Sequence, residues 1–89
     1  MPMEENQTPK VLVIDDDPEI LRMVCNILSN IGYDVFPACD GTSGIETFKK
    51  ESPVLVITDI HMPDITGIDV LRVIKKESPT TQVLVVSGV

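Results

Sequence analysis

Three apolar runs punctuate the chain, Val11-Leu12-Val13-Ile14, Val54-Leu55-Val56-Ile57 and Val83-Leu84-Val85-Val86, and none alternates with polar residues. Uninterrupted, mostly β-branched runs of this length suit strands buried on both faces, as in parallel sheets covered by helices. Each run ends in small acidic or hydroxyl residues: Asp15-Asp16, Thr58-Asp59 and Ser87-Gly88. Parallel strands would gather these groups along one edge of the sheet. Ligands of open α/β sheets bind beyond the carboxyl ends of the strands, so chemistry is expected at that edge.

Between the runs the period becomes helical. Asp17 can cap a helix with Pro18 at its first position, where a missing N–H costs nothing. Ile20, Leu21, Val24, Ile27, Leu28 and Ile31 recur at helical spacing as its inward face, and Gly32 stops it. Tyr33 to Ala38 reads as a short second strand, followed by the turn Asp40-Gly41. Ser43 with Glu46 forms a capping box for a second helix, whose inward face is Ile45 and Phe48. Lys49 and Lys50 favour its carboxyl end, and Pro53 ends it. The third strand, Val54 to Thr58, leads through a loop containing Pro63 to Thr66, a second good cap, with Asp69 in the first turn and Val70, Leu71 and Ile74 facing inward. This helix closes with Lys75-Lys76-Glu77-Ser78-Pro79, the pentapeptide already met at Lys49-Lys50-Glu51-Ser52-Pro53, a spacing of 26 residues. One βα unit has that length. The alternation predicts an α/β chain with right-handed crossovers and a doubly wound parallel sheet.

Composition narrows the function classes. The chain of 89 residues is 43% hydrophobic and only 3% aromatic, which predicts one small domain with an aliphatic core. Its net charge of -7 argues against binding nucleic acid by this domain and is compatible with a divalent cation. Cys25 and Cys39 fit no zinc or redox spacing, as expected of reduced thiols in a cytoplasmic protein. No apolar stretch approaches the roughly 18 residues that span a bilayer, and Met1 to Lys10 lacks the apolar core of a signal peptide. Met1 to Pro9 reads as a flexible polar tail, leaving residues 10–89 as the domain.

Asp15, Asp16 and Asp59 would repel one another unless a proton or cation intervenes. Mg²⁺ favours a few carboxylates together with waters and phosphate oxygens, which suits such a cluster with an open face. Asp59 could then act as a nucleophile toward phosphorus, with Ser87 donating to phosphoryl oxygens. The apolar strand into Asp15-Asp16, the stretch Asp59-Ile60-His61-Met62-Pro63-Asp64-Ile65-Thr66-Gly67 and Ser87-Gly88 after the fourth strand together resemble the receiver domain of bacterial response regulators. The resemblance covers the chain from about Lys10 onward. It implies a flavodoxin-like sheet in strand order 2-1-3-4, with Asp59 accepting a phosphoryl group from a histidine kinase or phosphotransfer protein. It further implies Mg²⁺ on Asp15, Asp16, Asp59 and the His61 backbone carbonyl, with Ser87 as the switch hydroxyl.

A complete receiver would continue with a fourth helix, a fifth strand bearing a lysine and a fifth helix. Those elements are missing after Val89, so a truncated domain is expected. The alternative is a receiver-like interaction or dimerisation module that is not phosphorylated. An aspartyl phosphatase fits less well, because Asp59-Ile60-His61 has no second aspartate two residues on. Ending at the fourth strand leaves Gln82 to Ser87 as an apolar edge, which predicts a homodimer through that strand.

Overall fold

The computed structural model of the chain describes residues 8–87. Most of the expected tail, Met1 to Gln7, and Gly88 and Val89 lie outside the described residues. Four strands, β1 (Lys10–Ile14), β2 (Asp34–Ala38), β3 (Leu55–Asp59) and β4 (Gln82–Val86), alternate with three helices, α1 (Pro18–Ile31), α2 (Gly41–Glu51) and α3 (Gly67–Glu77). All strand pairs are parallel and the sheet order is β2-β1-β3-β4, as expected for a doubly wound receiver-like sheet.

The period-two geometry of a strand sorts the apolar runs onto two faces. Leu12, Ile14 and Val56 join Phe48 of α2 and Val70 and Ile74 of α3 in one buried cluster, with Phe36, Ile45 and Val83 packed against it. Val11 and Val13 are buried outside that cluster, on the face that carries α1. Among the described residues α1 touches β1 and β2 and no other strand. None of its residues is buried, and Ile20, Ile27 and Ile31 of the expected inward face are exposed. Leu21, Val24 and Leu28 of that face, together with Cys25, reach partial cover. The 3.6-residue period correctly marked an apolar helix, but its stripe is wider than the two strands beneath it.

Local signals explain most boundaries. Asp17 accepts from the Glu19 and Ile20 N–H groups, Pro18 opens α1, and Gly32 closes it in the left-handed region (φ 116°) with its N–H on the last-turn carbonyls. Thr66 and Asp69 form a reciprocal capping box on α3. The start of α2 differs from expectation. Asp40 is the N-cap, accepting from the Ser43 N–H at 2.7 Å, so Ser43 is the third residue of the helix and no Ser43–Glu46 box opens it. The carboxylate cap starts the helix one turn earlier, at the Gly41 read as part of a turn.

The two copies of the pentapeptide end α2 and α3. Lys49 of the first pairs with Glu77 of the second at 3.4 Å. Their serines differ: Ser52 is left-handed (φ 52°, ψ 57°), whereas Ser78 is not (φ -144°, ψ 84°).

Candidate functional site

The carboxyl ends of β1 and β3 are neighbours because Ile14 registers with Thr58. The residues that follow are therefore brought together: Asp15, Asp16 and Asp59 each offer a carboxylate oxygen, and these oxygens lie within 4.8 Å of one another. Asp15 and Asp59 are half-buried and Asp16 is exposed. Burial, first, pushes the Asp15 carboxyl above its ordinary pKa, and the charges of Asp59, Asp16 and Asp17 add to this against the Asp17 N–H bond. That N–H donates to Asp15 Oδ1 at 2.8 Å, while the Asp15 N–H donates to the Ala38 carbonyl at 3.1 Å.

Asp59 is held from its own backbone side. Its Oδ1 accepts the Ile60 N–H at 2.8 Å, and that same N–H lies 3.1 Å from the Val86 carbonyl. Among the described residues no hydrogen bond reaches Oδ2, so one carboxylate oxygen of Asp59 keeps its lone pairs. Thr58, fully buried beneath, donates its hydroxyl to the Asp59 carbonyl at 3.1 Å. Ser87 follows Val86, the register partner of Asp59, and is exposed at the same sheet edge. His61 is exposed on the loop after Asp59.

The loop from Ile60 to Thr66 is closed at its base and pinned at its apex. At the base the Gly67 N–H donates to the Ile60 carbonyl at 2.9 Å. A Cβ on Gly67 would lie 2.2 Å from the Asp59 carbonyl oxygen, so α3 can start this close to the strand only with glycine there. At the apex Asp64 accepts from the Gly41 N–H (3.1 Å), the Thr42 N–H (2.8 Å) and the Thr42 hydroxyl (2.7 Å). Those bonds, the Thr42 hydroxyl foremost, hold the Asp64 carboxyl well below the usual carboxylate range. Sequence reasoning assigned no role to Gly67 or Asp64. The glycine stands in the quoted motif, but the Asp64 partner lies 22 residues away and no local pattern announces it.

A groove of about 470 Å³ lies at the opposite sheet edge, lined in part by Phe48, Ser52, Pro53 and Ser78, away from the acidic cluster. Among the described residues it brings no three acidic or metal-ligating side chains together.

A sequence model of the response regulator receiver domain family matches residues 11–89. The chain belongs to that family. Receivers are the signalling domains of two-component systems, and the fold here is theirs. It is 46% identical over 72 residues to a probable transcriptional regulator, ycf27, of Porphyridium aerugineum, an alignment covering 81% of this chain and 30% of that protein. It is 34% identical to the probable transcriptional regulatory protein TcrX of Mycobacterium tuberculosis, covering 94% of this chain and 36% of that one. The receiver thus spans about a third of the length of the curated relatives it matches. Among solved structures, a CheY-like receiver of Methanospirillum hungatei superposes with a TM-score of 0.90 at 30% identity, covering 93% of this chain and 66% of that chain. The response regulator TrrA of Thermotoga maritima, solved in complex with Mg²⁺ and BeF, gives 0.88 at 29% identity over 92% of this chain and 71% of that one.

Proposed function

We propose that this receiver is a phosphoacceptor: Asp59 takes a phosphoryl group from a phosphohistidine on a histidine kinase or phosphotransfer protein. The observation that carries this reading is the convergence of three carboxylates at the sheet edge, with Asp59 Oδ2 left without a partner among the described residues. Asp15, Asp16, Asp59 and the His61 carbonyl are the groups that would hold Mg²⁺. Their fit rests on the donor set, since a raised Asp15 pKa and mutual repulsion are relieved by a hard cation accepting carboxylate oxygens. Bound there, Mg²⁺ would neutralise charge on the transferring phosphoryl oxygens.

In the transfer itself an Asp59 oxygen forms the P–O bond as the P–N bond breaks, and the departing imidazole keeps the electron pair and takes a proton. The Ile60 N–H fixes one oxygen, which presents the other. Ser87, at the same edge, serves as the switch hydroxyl that donates to the phosphoryl group. Residues 10–89 act as the receiver and residues 1–9 as the segment before it, whose Pro9 carbonyl accepts the Asp34 N–H at 2.9 Å. Incubation with acetyl phosphate and MgCl₂ followed by intact mass should show one added phosphoryl group, absent in Asp59→Asn. Labelling that persists in Asp59→Asn removes the assignment.

We also propose self-association through β4. This strand pairs on one side only among the described residues, and Leu84 and Val86 are exposed. Unpaired apolar edges template pairing with another chain. Light scattering that shows a monomer at high micromolar concentration would refute it.

A further inference from the structure

The first turn of α2 is capped by two carboxylates from different parts of the chain. A helix begins with four N–H groups that lack intrahelical partners. In α2 the first intrahelical bond runs from the Gly44 N–H to the Asp40 carbonyl, and of the three helical N–H groups before it, that of Ser43 goes to the Asp40 side chain. The remaining two, on Gly41 and Thr42, go to Asp64 of the β3–α3 loop. Asp40 is a local cap; Asp64 is a tertiary one. The same junction is packed as well as bonded, since Ile65 fills the space a Cβ on Gly41 would need, 2.3 Å from its Cγ1.

Tracing these bonds gives a closed ring around the acidic cluster. Asp15 is tied to Ala38 at the end of β2. Two residues on, Asp40 opens α2, whose first turn holds Asp64. Asp64 lies in the loop whose base returns to Asp59 through the Gly67–Ile60 bond. The carboxylates of β1 and the carboxylate of β3 are thus joined twice, once by the sheet and once by way of Asp64. We infer that Asp64 is a positioning residue for the acidic site, holding the Asp59 loop, and the His61 carbonyl on it, against the first turn of α2. This rests on the phosphoacceptor reading for its functional consequence, but not for the ring itself. The strong depression of its carboxyl pKa fits an ionised acceptor facing two helix N–H dipoles.

The test is an MgCl₂ titration of ¹⁵N-labelled protein, following the amides of Asp15, Asp16 and Ile60, with wild type, Asp64→Ala, Asp64→Asn and Thr42→Val. Asp64→Ala should weaken Mg²⁺ by roughly threefold or more although every proposed ligand is intact. Asp64→Asn, which keeps one acceptor oxygen, and Thr42→Val, which removes only the hydroxyl, should fall between it and wild type and serve if Asp64→Ala does not fold. Equal Mg²⁺ affinity in all four overturns the inference while leaving the metal site standing. If wild type binds no Mg²⁺, the metal reading fails instead and the metal-free spectra decide. Hydrogen exchange at Ile60 and Gly67 about tenfold faster in Asp64→Ala upholds the positioning role, and unchanged exchange overturns it.

Discussion

The two halves of this sheet are built to different standards. On the β2–β1 side the strands lie between α1 on one face and α2 on the other, and the outer strand carries Pro37, which has no N–H to offer a passing chain. On the β3–β4 side α3 covers one face only, and the outer strand shows Leu84 and Val86 at 52% and 40% exposure with no proline or charge among its five residues. The first half is covered on both faces and blunted at its edge; the second, among the described residues, leaves two apolar side chains exposed. The acidic cluster straddles the seam, with Asp15 and Asp16 from the closed half and Asp59 from the open one.

Truncating buried side chains is the largest way to break that contrast. Leu12→Ala, at a position with no exposure in the closed half, should cost about 2–5 kcal/mol in urea unfolding, whereas Leu84→Ala, measured at a concentration where the chain is monomeric, should stay within about 0.5 kcal/mol. Similar losses at both sites would mean that β4 is covered in solution. At the seam, Gly67→Ala forces the start of α3 away from the Asp59 carbonyl and should cost about 1–3 kcal/mol. It should also weaken Mg²⁺, which the amide titration reads. Leu84→Lys places a charge on the open face and should shift the light-scattering mass to that of a monomer, with helical content by circular dichroism unchanged.

The smallest effects come from protons. Asp64 has a folded-state pKa below its unfolded value, so its stabilisation is present above the unfolded value near 3.9 and is lost as pH falls. Asp64→Asn should therefore flatten the acid limb of the stability profile below about pH 4. Asp15 has the opposite sign. Its raised pKa means that ionisation disfavours the folded state, so stability it contributes at low pH is lost as pH rises through the folded value. Asp15→Asn should then unfold at slightly higher temperature than wild type at pH 7 without metal, and should gain less from added MgCl₂.

The contrast between halves was partly legible in the chain. The three Val-rich runs announced parallel strands, although only β1 is buried along both faces and β4 has no buried residue, and the residues ending the runs announced which carboxylates would meet, because register follows once the strands are adjacent. Asp17, Gly32 and Thr66 fixed helix ends through bonds to near neighbours. What escaped the reading depends on distant partners. Asp64 caps a helix that starts 23 residues before it, and Gly67 is required by a carbonyl eight residues back. The α1 stripe from Ile20 to Ile31 was visible, but periodicity cannot say how many strands lie under a helix. Asp40 was mistaken for a turn residue because an Asp-Gly pair serves both uses, and only the following helix decides between them.

The repeated pentapeptide turns the chain into its own control experiment. Five identical residues terminate two helices of equal length, yet Ser52 takes the left-handed conformation that a Cβ disfavours, and Ser78 does not. Intrinsic preference is the same in both copies, so the difference belongs to what surrounds them. Pro53 is buried and the next residue runs directly to β3, whereas Pro79 is exposed and Thr80 and Thr81 make a further turn, with the Thr81 hydroxyl on Ser78 and Lys75 on the Thr81 carbonyl. A glycine at position 52 would relax a strained joint, and the same change at 78 would only loosen an ordinary one. One substitution made in two places can thus separate, within a single molecule, what a peptide prefers from what a fold imposes.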